Sequence, residues 1–176
     1  MIYAFFELHE RLPKVRLHIM GGVDDEEYGA ECHALVETLG VRDLIFTGRV
    51  NVVEYMEKLD FTILTSISEG QPLSVLESLA ACRPCVTTEV GCCRELLEGA
   101  PGDDFGVAGF VTPPMYRKGL ADAMERMCTS RARRIEMGER GKRRVATYFL
   151  HEQMLANYRA LYDVTAQAFD LPREGE

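Results

Sequence analysis

Short apolar runs alternate with helix-like stretches along most of this chain, and no other feature of the sequence constrains the fold as strongly. The apolar runs predict five short strands, at residues 15–20, 44–47, 61–65, 85–88 and 109–111. A helix-like stretch lies between each strand and the next. Strands that alternate with helices in this way are usually parallel and are joined by crossover helices. The pattern therefore predicts an α/β fold with a Rossmann-like parallel sheet flanked by helices.

The last third of the chain follows a different pattern. From Tyr116 onward the sequence predicts helices alone, with a break near Tyr148. The chain has 176 residues, of which 47% are hydrophobic, and this is enough for one well-formed core. We expect a sheet-containing domain at residues 1–148, a C-terminal helix at 149–170 and a disordered tail at 171–176.

Charge and hydropathy exclude several classes of partner. The formal net charge of −8 argues against nucleic acid, because binding to a phosphate backbone needs a basic surface. Seven basic residues lie within 131–144, and we interpret them as a solvated helix face because Glu136 and Glu139 lie among them. No apolar run approaches the roughly 20 residues that span a membrane. The N-terminus also lacks the features of a signal peptide, so we expect a cytoplasmic protein.

The six cysteines do not predict a metal or redox centre. Cys82 and Cys85 have the spacing of such a pair, but no second pair or histidine cluster of suitable spacing accompanies them. We expect them to be small buried side chains, and we expect Cys92 and Cys93 to be free thiols in a loop. The four histidines are interpreted as structural, and no metal site is predicted.

Glycines and polar residues follow four of the predicted strands. Ligands of open parallel sheets bind beyond the carboxyl ends of the strands, so residues that follow strands gather at one edge. This edge of the sheet is therefore predicted to hold a binding site. The residues concerned are Gly21-Gly22, Gly48-Arg49-Val50, Glu69-Gly70-Gln71 and Gly91.

Two glutamates eight positions apart, Glu69 and Glu77, give this edge its chemistry. Glu69 lies on the turn that leaves the strand at 61–65, and Glu77 lies about one turn into the helix that follows. Pro72 occupies a helix start, where proline is tolerated. The free N–H groups at that helix start favour an anion such as phosphate, and a carboxylate with two acceptor oxygens suits a vicinal diol. A ligand with both groups is a nucleotide sugar.

The Glu-x7-Glu element in this context resembles that of the family 4 retaining glycosyltransferases, which have the two-domain GT-B architecture. Residues 65–73 and 91–97 are most similar to the members that make Pel exopolysaccharide, and the resemblance runs from about Phe5 to about Phe169. It implies the C-terminal, donor-binding domain of an enzyme that transfers a hexose from a UDP-sugar, with UDP-glucose as donor, to a bacterial exopolysaccharide. It also implies that no metal cofactor is required.

The resemblance assigns a role to each candidate site residue. Glu77 would accept hydrogen bonds from the ribose hydroxyls, and Glu69 would contact the donor sugar and act as the catalytic residue. Gly70 would let the backbone approach the ligand closely. The remaining candidates would bind donor through sugar and phosphate contacts at the helix start (Gln71, Pro72, Leu73 and Ser74), through contacts to the base (Gly48, Arg49 and Val50) or from a loop near the nucleotide (Gly21 and Gly22).

Each of these roles has a plainer alternative. Glu77 is otherwise a surface glutamate, Glu69 a helix-cap carboxylate, and Gly70 a residue required by turn geometry. Arg49 could instead form an ion pair with Asp43. Gly21-Gly22 and Ser74 could be an ordinary turn and an ordinary helix residue.

The resemblance also implies that the chain is half of an enzyme. In that family an acceptor domain comes first, and a strand and loop with a basic residue pair open the second domain. We expect both to be absent here, so the chain alone would bind a nucleotide weakly and would not catalyse transfer. The C-terminal helix would cross back to the acceptor domain or pack on this one. Two other functions remain open: a sugar-nucleotide epimerase, and a non-catalytic nucleotide-binding module that docks on membrane components of a polysaccharide synthase.

Overall fold

Strands and helices alternate through the part of the chain that this computed structural model describes, residues 1–168 with side chains through residue 165. The helices there are α1 (Ile2–Arg11), α2 (Glu26–Leu39), α3 (Val52–Met56), α4 (Leu73–Ala80), α5 (Cys93–Glu98), α6 (Arg117–Cys128), α7 (Arg131–Tyr148) and α8 (His151–Ala168). The strands there are β1 (Leu17–Met20), β2 (Leu44–Gly48), β3 (Thr62–Leu64), β4 (Cys85–Thr88) and β5 (Gly109–Thr112). The predicted alternation is confirmed, and the predicted tail at 171–176 lies outside the described residues.

Local signals define the bounds of α2. Asp25 precedes the helix, and its side chain accepts a hydrogen bond from the backbone N–H of Tyr28. Gly40 follows the helix in the left-handed conformation, with φ of 67°, which glycine adopts without steric cost. The sequence predicts a helix at 26–39 with Gly40 as its stop signal, and the structure confirms both.

The strands form two parallel sheets rather than the single sheet that the sequence predicts. β1 pairs with β2, and β3, β4 and β5 pair in that order. All three pairings are parallel, and helices flank both sheets. The predicted α/β class with parallel strands and crossover helices is confirmed, but β1 and β3 are not joined by a ladder.

A slot of about 820 Å³ lies between the two sheets, lined by β1, β3 and the start of α4. β4 is hydrogen-bonded on both edges, and every residue in it is buried. In β3, which pairs along one edge, all three residues are only partly buried, as are three of the four in β1. β1 and β3, which face the slot, are therefore more exposed to solvent than β4 at the centre of the larger sheet.

Glycines on α7 bring this helix close to α4. A Cβ atom on Gly138 would lie 2.2 Å from the carbonyl oxygen of Cys82, and one on Gly141 would lie 2.5 Å from the Leu79 side chain. Leu79 itself is completely buried. Because a Cβ atom at either position would overlap its neighbour, glycine at 138 and 141 is required for this packing.

The basic stretch on α7 is not one solvated face, and for Arg144 the prediction is wrong. Arg144 is 1% exposed and forms an ion pair with Asp103, with Nε 2.5 Å from Oδ2. The guanidinium also donates to the carbonyl oxygens of Leu96, Leu97 and Gly106. Five hydrogen bonds satisfy the five N–H groups of a guanidinium. Arg144 thus ties the end of α5 to the following loop.

The apolar face of α8 does not pack on this domain, so that alternative for the C-terminal helix is wrong. The residues on this face are all exposed: Met154, Leu155, Tyr158, Leu161 and Tyr162. Within residues 1–168, none of the helices combines the length and the apolar character that crossing a bilayer would require.

Cys82 follows the end of α4 and has a strained backbone conformation, and a substitution can test the cost of this strain. Its φ is 60°, a left-handed value that costs a side-chain-bearing residue about 1–2 kcal/mol. Glycine avoids this cost but gains freedom in the unfolded chain. We expect Cys82→Gly to raise the free energy of unfolding by about 0.5–1 kcal/mol in urea titrations. Cys82→Ala, which removes the thiol but keeps the strain, should give no gain, and an equal gain in both variants would contradict the explanation.

Candidate functional site

The turn between β3 and α4 presents an uncapped helix start. Pro72 is the N-cap residue of α4, and no side chain caps the helix. No hydrogen bond from Glu69 caps the helix, and a favourable effect of its carboxylate on the helix dipole stays a prediction. The N–H groups of Leu73 and Ser74 lie in the first turn, where helix geometry provides no backbone acceptor. This end of the helix carries partial positive charge and suits an anion.

The candidate side chains around this helix start differ in exposure. Glu77 is exposed, which fits both a ligand role and a plain surface glutamate. Glu69 is partly buried, whereas Gln71 is exposed. Leu73 is 68% exposed, and Ser74 lines the slot between the sheets. The structure thus brings together the candidates from 69 to 77 around one helix start.

The end of β4 and the segment that follows it hold the turn that carries Glu69. The hydroxyl of Thr88 donates to the carbonyl oxygen of Ser66 at 2.6 Å, and the backbone N–H of Cys92 donates to the carbonyl oxygen of Gly70 at 3.0 Å. The sequence pattern does not indicate these contacts. Its only signal is that Thr88 is a polar residue at the end of an otherwise buried predicted strand.

Gly91, rather than Gly70, is the glycine that this turn requires. Gly91 has a φ of 51°, and a Cβ atom there would lie 2.2 Å from the Gly70 carbonyl oxygen and 2.5 Å from that of Glu69. Gly70 has no left-handed φ, and a Cβ atom on it would have no heavy atom within 4 Å. The turn-geometry explanation of Gly70 is therefore wrong, and open space lies where its side chain would be.

A second group of candidates lies at the carboxyl ends of β1 and β2. The backbone N–H of Gly21 donates to the carbonyl oxygen of Gly48 at 3.0 Å, which joins the two turns. The side chain of Arg49 lies over Gly22, where a Cβ atom would be 3.1 Å from Nε. Val50 is partly buried beside them. These five residues therefore form one cluster, as the sequence predicts.

Arg49 does not pair with Asp43, so that alternative is wrong. Asp43 lies near two other basic side chains, at 3.1 Å from His9 and 3.7 Å from Arg16. Arg49 is exposed, and its guanidinium is directed over the Gly21-Gly22 turn. It is the basic side chain of this second cluster and can meet a polar or anionic group of a ligand there.

The slot between β1 and β3 separates the two clusters. The residues at 21–22 and 48–50 belong to the sheet of β1 and β2, and those at 69–77 and 91 adjoin the sheet of β3, β4 and β5. Both clusters follow the carboxyl ends of parallel strands, where ligands of such sheets bind. The residues that the sequence predicts to share one edge therefore form two clusters, one on each side of the slot.

The thiols near the turn are not activated. Burial raises the pKa of Cys92 and of Cys93, and the charge of Glu69 adds slightly to the effect on Cys93. Burial also raises the pKa of Cys85 to about 11. All six cysteines are free, as expected for Cys92 and Cys93, but Cys93 begins α5 and does not lie in a loop. Cys82 is only partly buried, whereas Cys85 is buried as expected. Thiols with raised pKa values are poor nucleophiles and poor metal ligands at neutral pH, so Cys85, Cys92 and Cys93 lack the features of reactive cysteines.

Arg94, which belongs to the similar segment 91–97, has a local structural role. It forms ion pairs with Glu89 and Glu98, both at 2.7 Å, on the surface of α5. Its side chain is 50% exposed. Within residues 1–168, no group of three or more His, Cys, Asp or Glu side chains is placed to hold a metal ion.

Comparison with known proteins gives this arrangement a family. A model of the family described as "Glycosyl transferases group 1" matches residues 1–130. The N-acetyl-alpha-D-glucosaminyl L-malate synthase of Bacillus anthracis is 28% identical over 130 residues, which cover 73% of this chain and 32% of that protein. The O-antigen biosynthesis glycosyltransferase WbnH of Escherichia coli is 35% identical over 88 residues, 49% of this chain and 24% of that protein.

Solved structures share the fold. The crystal structure of Anabaena Alr3699/HepE in complex with UDP-glucose matches with a TM-score of 0.74 and 19% identity, over 90% of this chain and 44% of that one. This chain therefore spans less than half the length of each of these three similar proteins. Because the family model covers well over half of the sequence, the chain belongs to the family of group 1 glycosyl transferases.

Proposed function

We propose that this chain binds the donor of a retaining glycosyltransferase that transfers a hexose from a UDP-sugar to a bacterial exopolysaccharide in the cytoplasm. One observation carries the proposal: the uncapped start of α4 lies between Glu69 and Glu77 at the carboxyl end of β3. A helix start suits a phosphate, and two carboxylates suit hydroxyl groups. A nucleotide sugar has these groups in that combination.

The chemistry of transfer explains why these groups are needed together. The bond between the anomeric carbon and the diphosphate breaks, so negative charge grows on the diphosphate and positive charge on the anomeric carbon. The N–H groups of Leu73 and Ser74 would stabilise the departing diphosphate, since oriented dipoles act most strongly where charge develops. Glu69 would hold the sugar and stabilise the positive carbon. Glu77 would hold the ribose diol.

We also propose a specific donor and a specific product. UDP-glucose is the donor implied by the resemblance of residues 65–73 and 91–97, and a structure of similar fold contains UDP-glucose. The same resemblance points to Pel exopolysaccharide as the product. We propose a reaction that requires no metal ion, because the start of α4 would neutralise the diphosphate together with the basic residue pair that the resemblance implies for the complete enzyme.

The exposed apolar face of α8 supports a proposal for the partners. The apolar face of α8 carries exposed residues that a second domain would cover, including Tyr158 and Tyr162. We propose that this face contacts the acceptor-binding domain and that the complete enzyme works with membrane components of a polysaccharide synthase. This chain alone would bind donor but would not transfer sugar.

Removal of the Glu77 carboxylate should abolish most donor binding. We expect Glu77→Ala to weaken UDP and UDP-glucose binding at least about tenfold in calorimetric titrations, because a charged acceptor contributes about 1.5–3 kcal/mol to such hydrogen bonds. Glu77 is exposed, so the fold should be unaffected. Glu37→Ala, an exposed glutamate on α2, is the matched control and should bind like the wild type.

The same titrations test the choice of base and the function itself. Binding of GDP as tight as that of UDP would remove the uridine assignment. If Glu77→Ala binds UDP and UDP-glucose as tightly as the wild type does, Glu77 is a surface residue that does not contact the donor. That result would overturn the donor site as described.

A further inference from the structure

The turn that carries Glu69 is anchored near both ends by one segment, residues 88–92. The Thr88 hydroxyl donates to the Ser66 carbonyl oxygen at 2.6 Å, three residues before Glu69. The Cys92 N–H donates to the Gly70 carbonyl oxygen at 3.0 Å, one residue after Glu69. The second anchor is a backbone contact and is available to almost any residue, whereas the first depends on the side chain at position 88.

Thr88 is itself fixed in place. It ends β4, pairs in register with Thr112 of β5 and is 4% exposed. The next backbone N–H, that of Glu89, donates to the Thr112 carbonyl oxygen at 2.8 Å. The branched side chain of threonine also has few rotamers. A hydroxyl on so rigid a support is a fixed point for the more exposed turn that it contacts.

We propose that Thr88 is a positioning residue that sets the place of Glu69 without contacting the donor. This inference rests on the proposed donor site. The contact lies on the turn and away from Glu77, which is on α4. Loss of the hydroxyl should therefore disturb the part of the site that holds the sugar and leave the part that holds the ribose.

The test compares Thr88→Val, which keeps the shape but lacks the hydroxyl, with Thr88→Ser, which keeps the hydroxyl. Both variants and the wild type are titrated with UDP and with UDP-glucose. We expect Thr88→Val to bind UDP-glucose about three- to tenfold more weakly, the range expected for one hydrogen bond, while UDP affinity changes less than about twofold. Thr88→Ser should restore the wild-type ratio of the two affinities.

A purely structural role for Thr88 would give a different result. If Thr88→Val only destabilised the domain, the affinities for UDP and UDP-glucose would fall together, and that result would overturn the proposal. Failure of Thr88→Ser to restore the wild-type ratio of the two affinities would overturn it as well. A second readout, independent of any ligand, is the hydrogen exchange of the backbone amides at residues 67–70. Exchange there should be faster in Thr88→Val and return to the wild-type rate in Thr88→Ser.

The two readouts separate this inference from the proposed function. If the wild type binds neither ligand, the result counts against donor binding by this chain, and the exchange measurement alone decides whether Thr88 holds the turn. Unchanged exchange at 67–70 in Thr88→Val would overturn the positioning role. An altered ratio of affinities together with faster exchange would establish it.

Discussion

Arg144→Met is expected to lower the free energy of unfolding by about 3–5 kcal/mol, because it leaves a buried carboxylate without its partner. Arg144 and Asp103 have side chains only 1% and 3% exposed. The carbonyl oxygens of Leu96 and Gly106 would lose the Arg144 donor as well, whereas that of Leu97 would keep the backbone N–H of Ala108. Urea unfolding monitored by circular dichroism measures the loss. Lys142→Met, an exposed position on the same helix, should change the value by less than about 0.5 kcal/mol.

The pH dependence of the same variant identifies the cause. The Arg144 guanidinium lowers the pKa of Asp103 below its ordinary value. The wild-type ion pair therefore contributes fully above the ordinary pKa and is lost as the pH falls through the lowered, folded-state pKa. In Arg144→Met the buried carboxylate lacks its partner, so protonation relieves the penalty. The stability gap between the two proteins should narrow as the pH falls from 7 towards 3, and a constant gap would contradict the ion-pair explanation.

Gly91→Ala is expected to lower the free energy of unfolding by about 2–5 kcal/mol and to remove UDP-glucose binding. The left-handed φ of 51° costs an alanine about 1–2 kcal/mol, and overlap with neighbouring atoms adds about 1–3 kcal/mol. Those neighbours are the backbone carbonyl oxygens of Gly70 and Glu69, which cannot rotate away as a flexible side chain would. The turn must move, and Glu69 moves with it. Urea unfolding and calorimetry measure the two effects.

Gly70→Ala is the matched control for that variant. Its Cβ atom would meet no protein atom within 4 Å, and its φ is not left-handed, so stability should change by less than about 1 kcal/mol. If a ligand fills that open space, donor affinity should nevertheless fall. Equal destabilisation by Gly91→Ala and Gly70→Ala would show that the close contact at Gly91 does not govern the turn.

Features with a local cause were predictable from the sequence. The bounds of α2 follow from Asp25 and Gly40, which act on neighbouring backbone groups. β4 is a short run of small and β-branched residues, and its predicted bounds are confirmed. The cluster at 69–77 could be assembled for the same reason, since its members lie on one turn and one helix.

Features that depend on distant partners were not predictable. The bonds of Arg144 reach residues about 40 positions away, so its charge resembled the other charges of α7 until the fold brought Asp103 to it. The contact between Thr88 and Ser66 likewise joins two segments 22 positions apart. The sequence around a hydroxyl or a guanidinium does not indicate which distant residue will be its hydrogen-bond partner.

The sequence by itself determined the order and type of the elements, the α/β class and the residues that follow each strand, because periodicity, caps and glycines act within a few residues. Only the tertiary structure decided that the strands divide into two sheets across a slot, that Gly91 rather than Gly70 governs the Glu69 turn, and that Arg144 is buried. These outcomes depend on which edges and side chains meet in space, and such meetings are set by the packing of the whole domain.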